Sequence, residues 1–289
     1  MNKITKVMLI SFIVNAILST VKIISGILAK SSALIADGIH SFSDLSTDII
    51  AIIGNKLANK SPDSKHPYGH GKLEYLTSIV IGAVIIFLGV VLIKNSFDTN
   101  KSNTIGLIVG IVSIFTIIFK LLLAKYIIKK GNEYKNNILI ASGKESSADV
   151  ISSIVVLVSS VFLCLSKYIE IFKYADMFAA IIVGLFIIRT GYLILKENVS
   201  IILGEQETNN IYLTDIRKII YNNILVKNID SLVLLKFGQY YKLTCEVSMD
   251  QNLSLLEAHS QLEEIEKSLK NYDEKIKYQT IHINPYKED

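Results

Sequence analysis

Ser32-Ala-Leu-Ile-Ala-Asp37-Gly-Ile-His40-Ser-Phe-Ser-Asp44 opens an apolar stretch that runs to residue 57 and carries a fourth ionisable group, Asp48. A helix needs about 20 predominantly apolar residues to cross the hydrocarbon core of a bilayer, and this stretch is long enough. Spacings of three, four and four put Asp37, His40, Asp44 and Asp48 on one helical face. Each ionisable side chain inside a membrane costs about 2.5–3.5 kcal/mol on insertion scales. Four of them on one face predict a spanning helix that carries a polar site.

Working outward, five further apolar stretches lie near residues 7–29, 75–94, 104–125, 138–166 and 175–197, which makes six predicted spans. All three prolines, Pro62, Pro67 and Pro285, fall outside them, so no span is broken by proline. The first run is too long for a signal peptide and lacks a small-residue cleavage pattern. No internal repeat is apparent. Composition agrees with a membrane chain: 51% of the 289 residues are hydrophobic and 19% are charged, against about 25% charged in soluble domains. The charge is also unevenly spread. Residues 1–204 hold 20 Lys+Arg and 12 Asp+Glu, whereas residues 205–289 hold 10 and 14. The expected organisation is an α-helical transmembrane domain, 1–204, followed by a soluble, mildly acidic α+β domain, 205–289. The basic surplus sits in short loops beside apolar runs, so the net +4 is no argument for nucleic acid. The N-terminus and the 56–74 and 125–144 loops hold 11 Lys against 5 in the alternate loops, which predicts cytoplasmic N- and C-termini.

In the tail, Leu213, Ile216, Ile219 and Ile220 have helical spacing within 209–222. Tyr241, Leu243, Cys245, Val247 and Met249 alternate with polar residues as a half-buried strand. Residues 229–237 read as its hairpin partner, turning at Gly238. Ser254 and Glu257 form a capping box that opens another helix, and a last strand covers about 276–283.

The fifth predicted span carries Glu145 and Asp149, again at i, i+4. With span centres near residues 45 and 152, His40, Asp44, Glu145 and Asp149 share one depth near the bilayer middle. One imidazole and three carboxylates are four N/O donors, which suits a divalent metal. A hydrogen-bonded packing cluster is the alternative, but so many acids on one helix pair repel each other without a cation. Asp37 and Asp48 sit a turn outside the four and read as access-path or second-shell groups. Lys22, Lys120 and Arg189, the isolated cations in the spans, read as counter-ions or as snorkelling ends. Two Cys, Cys164 and Cys245, are too few for a disulfide framework or a thiolate cage.

The stretch 32–44, followed by Pro62-Asp63-Ser-Lys-His66-Pro-Tyr-Gly-His70-Gly-Lys-Leu-Glu74, resembles the cation diffusion facilitator family of metal efflux transporters. The resemblance covers nearly the whole chain. It implies export of divalent transition metals from the cytoplasm across the plasma membrane, in exchange for protons and by alternating access. It also implies a homodimer and a ferredoxin-like or metallochaperone-like cytoplasmic tail. His40 and Asp44 match the family's H/D-x-x-x-D pair on the second helix. Glu145 and Asp149 match the pair on the fifth, with Glu where His is common. Asp63, His66 and His70 match a family site in the loop after the second helix. His66 and His70 could otherwise contact headgroups or cap the third helix. Asp230, Cys245, His259, His282 and Asn284 correspond to tail metal positions of some members, with packed structural histidines as the alternative. All five histidines of the chain thus fall where the family places ligands.

The expected cargo is Zn²⁺, with Mn²⁺ or Fe²⁺ as alternatives because a carboxylate-rich set is hard. Metal is then substrate and possible regulatory ligand, with no obligatory cofactor. A metal-binding membrane protein that does not transport is the remaining alternative. No enzyme is expected: neither H-E-x-x-H nor G-x-x-x-x-G-K-[ST] occurs.

Overall fold

A computed structural model describes residues 3–45, 60, 62–97, 105–134, 137–238 and 240–286. The chain divides into two compact units, Met1–Ile49 with Val80–Leu195, and Ile50–Ile79 with Lys196–Asp289.

The first unit is helical. Its elements are α1 (Lys3–Ala29), α2 (Ser32–Asp44), α3 (Leu73–Ser96), α4 (Gly106–Glu133), α5 (Asn137–Ala148), α6 (Val150–Leu165) and α7 (Ala175–Ile202); a 3₁₀ turn, Glu170–Tyr174, precedes α7, and α3 and α7 run on into the second unit. Among the described residues five stretches are long and apolar enough to cross a membrane: Lys6–Ala29, Leu73–Ser96, Gly106–Glu133, Ser142–Leu165 and Glu170–Ile202. The predicted second span is described only as far as Leu45, and Asp48 lies outside the described residues.

The helices are apolar outside, and their buried positions mix apolar side chains with polar and charged ones. Leu28, Phe87 and Leu107 are more than 60% exposed, whereas Ser19, Lys22, Asp37, Ser113, Thr116, Ser152 and Ser153 are buried. Lipid leaves no hydrophobic gain in burying leucine between helices, so small and polar residues make the contacts. α2 is started by Ser31, whose hydroxyl accepts from Leu34 N and donates to Asp176. Asp176, at the start of α7, also accepts from Ser32 N at 2.7 Å. A buried carboxylate therefore satisfies the helix start that the membrane cannot hydrate.

Glycine contacts reveal a repeat that the sequence alone does not show. A Cβ on Gly26 would meet Ile35 at 2.8 Å, and one on Gly38 would meet Ile23 at 2.6 Å, between α1 and α2. Between α4 and α5, Gly131 meets Ile140 at 2.8 Å and Gly143 meets Ile128 at 2.6 Å. All four residue pairs are related by the same offset, 105 positions. Between α3 and α7, Gly89 meets Ile188 and Gly191 meets Ile86, each at 2.7 Å, and these are related by 102 positions. Gly82 lies against Gly191 and Gly89 against Gly184, so α3 and its counterpart α7 run antiparallel. Among the described residues the helical unit is thus two halves, α1 to α3 and α4 to α7, of inverted direction. The 105 offset also relates His40 to Glu145, Asp44 to Asp149, Ser41 to Ser146 and Asn15 to Lys120.

The second unit contains α8 (Asn210–Tyr221), β1 (Val226–Phe237), β2 (Tyr240–Asp250), α9 (Leu255–Tyr272) and β3 (Ile276–Tyr286). The sheet order is β1-β2-β3, antiparallel for the first pair and parallel for the second. Leu243, Cys245, Val247 and Met249 are buried against Ile216, Ile220, Ile265 and Leu269, as the alternation in β2 predicts. The Ser254–Glu257 capping box is formed. Residues 62–79 belong to this unit and pack on the hairpin: Gly238 N donates to Tyr75 Oη at 2.8 Å, and Tyr240 Oη donates to Tyr68 O. A Cβ on Gly71 would meet Phe237 O at 2.2 Å, so only glycine permits that approach.

Candidate metal centre

Within the helical unit, His40 and Asp44 project from one face of α2 one turn apart, with Nδ1 and Oδ1 3.9 Å apart. Asp149 stands between α5 and α6, where the helical hydrogen-bond ladder is interrupted for one residue. Its N–H still donates to Glu145 O at 3.1 Å, and its carbonyl accepts from Ser152 Oγ at 2.8 Å. One donor atom each from His40, Asp44 and Asp149 lie within 4.8 Å of one another. The His40 Nδ1 atom is buried and has no hydrogen-bond partner, unusual for a buried polar atom. An imidazole with an open lone pair facing two carboxylates is a donor set for a divalent cation.

Asp44 and Asp149 open on a cavity of about 180 Å³ whose lining also includes Asn15, Ser41, Lys120 and Glu145. Glu145 lines the cavity but is not part of the three-residue cluster. Lys120, from α4, sits inside the group: its Nζ is 3.1 Å from Asp149 Oδ2 and 4.0 Å from Asp44 Oδ2. Of the two readings open for it, this position selects the counter-ion.

Asp37, expected on the access path or behind the ligands, sits in a network of its own. It is fully buried and pairs with Lys22 at 2.8 Å; Ser152 donates to its Oδ1 at 2.6 Å and Ser153 to its Oδ2 at 2.9 Å. Lys22 also donates to Ser41 at 2.9 Å and to Ser153 at 2.8 Å, so all three ammonium protons are used. This closed network ties α1, α2 and α6 together. Sequence spacing places Asp37 on the ligand-bearing face but does not reveal that a lysine from the neighbouring helix covers it.

In the second unit Asp63, His66 and His70 also converge within 4.8 Å. Asp63 Oδ1 accepts from Lys65 N at 2.9 Å and from His66 N at 2.7 Å, and its two oxygens face His66 Nδ1 at 3.0 Å and His70 Nε2 at 3.4 Å. The His66 backbone N–H bond is the main reason that the Asp63 carboxyl titrates below the usual range.

The tail positions do not converge. Cys245 is fully buried in the core, and burial pushes its thiol up to about 11. Glu246, Ser248, His282 and Asn284 lie on the opposite sheet face, with His282 paired in register to Glu246. Asp230 joins that face, accepting from Asn284 at 2.9 Å, Ser248 at 2.7 Å and Asn228 at 2.8 Å; these bonds, Asn284 first, hold its carboxyl low. His259 is exposed on α9 beside Glu263. Strand alternation already separates Cys245 from its proposed partners.

Residues 8–203 match the cation efflux transmembrane domain, and residues 209–286 match the cytoplasmic domain of cation efflux proteins. The manganese efflux system protein MneP of Bacillus subtilis is 28% identical over 98% of this chain and 97% of its own length. An uncharacterized transporter of Methanocaldococcus jannaschii is 33% identical, covering 94% and 93%. A cadmium, cobalt and zinc/H(+)-K(+) antiporter of Bacillus subtilis is 28% identical, covering 92% and 85%.

Proposed function

The chain belongs to the cation efflux, or cation diffusion facilitator, family, and from that premise we propose that it carries divalent transition-metal ions out of the cytoplasm across the plasma membrane in exchange for protons. One observation supports this above the rest: His40, Asp44 and Asp149 converge within an apolar helical unit, and the two aspartates open on a polar cavity. Metal enters the cavity, exchanges water for these three donors and Glu145, and leaves on the far side after the helices rock. Imidazole and carboxylates bind metal only when deprotonated. Protons arriving from outside therefore displace the ion at the same atoms, and an inward proton gradient drives release.

The donor set favours Mn²⁺ over Zn²⁺, the ion put first on sequence grounds. Carboxylates outnumber imidazole, and two of the relatives, both from Bacillus subtilis, are manganese efflux system proteins. Residues 205–289 act as the dimerisation and metal-sensing domain, with both termini cytoplasmic. The Asp63, His66 and His70 cluster takes a regulatory ion.

Purified protein in liposomes, loaded with Mn²⁺ or Zn²⁺ under an imposed pH gradient, tests the reading. Gradient-dependent flux that Asp149→Ala reduces to background supports it; flux without a gradient, or surviving that substitution, overturns it. Glu145→His is expected to raise the Zn²⁺ to Mn²⁺ flux ratio, and an unchanged ratio removes Glu145 from the ligand set.

A further inference from the structure

The cavity around Asp149 already contains a cation of the protein's own. Lys120 Nζ stands 3.1 Å from Asp149 Oδ2 and 4.0 Å from Asp44 Oδ2, and the side chain is only 4% exposed. A divalent ion binds such oxygens at about 2.0–2.2 Å, while the ammonium already stands within 3.1 Å of one of them. Ion and ammonium are therefore alternatives at the same carboxylates. Of the groups lining the cavity, three are carboxylates and one is an ammonium, formally two negative charges in surplus, which one divalent ion neutralises.

The first half builds the same glycine–isoleucine frame without a lysine at this position. At the equivalent position of the first half, 105 residues earlier, stands Asn15, which lines the same cavity. The glycine–isoleucine contacts are the same in both halves whether the position holds asparagine or lysine. Lys22 differs: its three donors are committed to Asp37, Ser41 and Ser153. Lys120 faces the cavity and the carboxylates.

We propose that Lys120 is a tethered competitor for the transported ion: its ammonium claims the Asp44 and Asp149 oxygens, weakens the grip of the site on a divalent cation, and speeds that cation's departure. This rests on the metal-site reading above. Electrostatics gives the direction, since a fixed positive charge about 4 Å from the ion opposes its binding strongly in a poorly hydrated site.

The test is equilibrium binding of Mn²⁺ and of Zn²⁺ to the purified full chain in detergent, followed with a competing chelator dye, counting only the binding that Asp149→Ala abolishes. Lys120→Gln is expected to tighten that binding about tenfold or more, and to lower both KM and kcat for flux in liposomes because the ion leaves slowly. Lys120→Arg, which keeps the positive charge, is expected to bind the ion more weakly than Lys120→Gln does. The exchanged pair Asn15→Lys with Lys120→Asn returns the charge to the cavity from the other half and brings the affinity back toward wild type. It also covers the case in which Lys120→Gln fails to fold. Unchanged or weaker binding in folded Lys120→Gln, or an exchanged pair still as tight as Lys120→Gln, overturns the proposal. If Asp149→Ala binds as wild type does, the metal site itself fails and not merely the role of Lys120.

Discussion

The helical unit holds two lysine–carboxylate groups, and they are built differently. Lys22 and Asp37 are 1% and 0% exposed at 2.8 Å, and serines take up the remaining ammonium donors and both carboxylate oxygens. Lys120, Asp44 and Asp149 stand 3.1–4.0 Å apart beside a cavity, with the carboxylates 15–21% exposed. The first group is electrically closed and contributes to architecture. The second is more loosely paired and has a cavity beside it. Closure separates a clamp from a binding site; depth in the membrane and residue type do not.

The comparison breaks most visibly at Lys22. Lys22→Met leaves Asp37 buried and uncompensated, and is expected to cost about 3–5 kcal/mol, measured by unfolding in detergent. The double variant Lys22→Met/Asp37→Leu should recover most of it, because apolar replacement of a buried pair is often neutral. A loss confined to the double variant would show that the pair is not a clamp. Asp149→Ala, in contrast, should abolish flux while leaving stability close to wild type.

Next in size are the close approaches that frame both groups. Gly38→Ala and Gly143→Ala each place a Cβ 2.6 Å from an isoleucine Cγ1, an overpacking worth about 1–3 kcal/mol. The repeat requires the two losses to be similar; unequal ones would weaken it. Outside the membrane the same distinction applies to Cys245. Cys245→Ser puts a hydroxyl in a dry core and should cost about 1–2 kcal/mol, with metal binding by the tail unchanged. A change in tail metal binding instead would restore Cys245 as a ligand.

The smallest expected effect is at Asp63, an open group in water. Its carboxyl titrates below its unfolded value, so its contribution to the loop is fully present above the ordinary aspartate range and fades as pH falls through the lowered value. The Asp63 carboxyl carbon signal in NMR should titrate only below the ordinary aspartate range. Asp63→Asn should remove that acid step.

Much of this was legible in the sequence. The i, i+4 pairs His40/Asp44 and Glu145/Asp149, the alternation in β2 and the Ser254–Glu257 cap are local periodicities, and local geometry follows from them. Three things were not. Asp37 shares the ligand face of α2, yet its partner comes from α1, and no spacing within one helix announces that. Lys120 reads as an isolated cation until α4 is placed against Asp149. The two halves escape notice because the repeat survives in contacts: His40 faces Glu145 and Asn15 faces Lys120 across it, so residue identity is lost where geometry is kept. The tail positions came from resemblance alone, and strand alternation separates Cys245 from the rest.

Two inverted halves carry a further consequence. If each half adopts the shape of the other, the molecule is unchanged except that its opening faces the opposite side of the membrane. Such an exchange would keep the glycine–isoleucine contacts, which are already alike in the two halves. What tells inside from outside is the set of positions where the halves disagree, Asn15 against Lys120 and His40 against Glu145 among them.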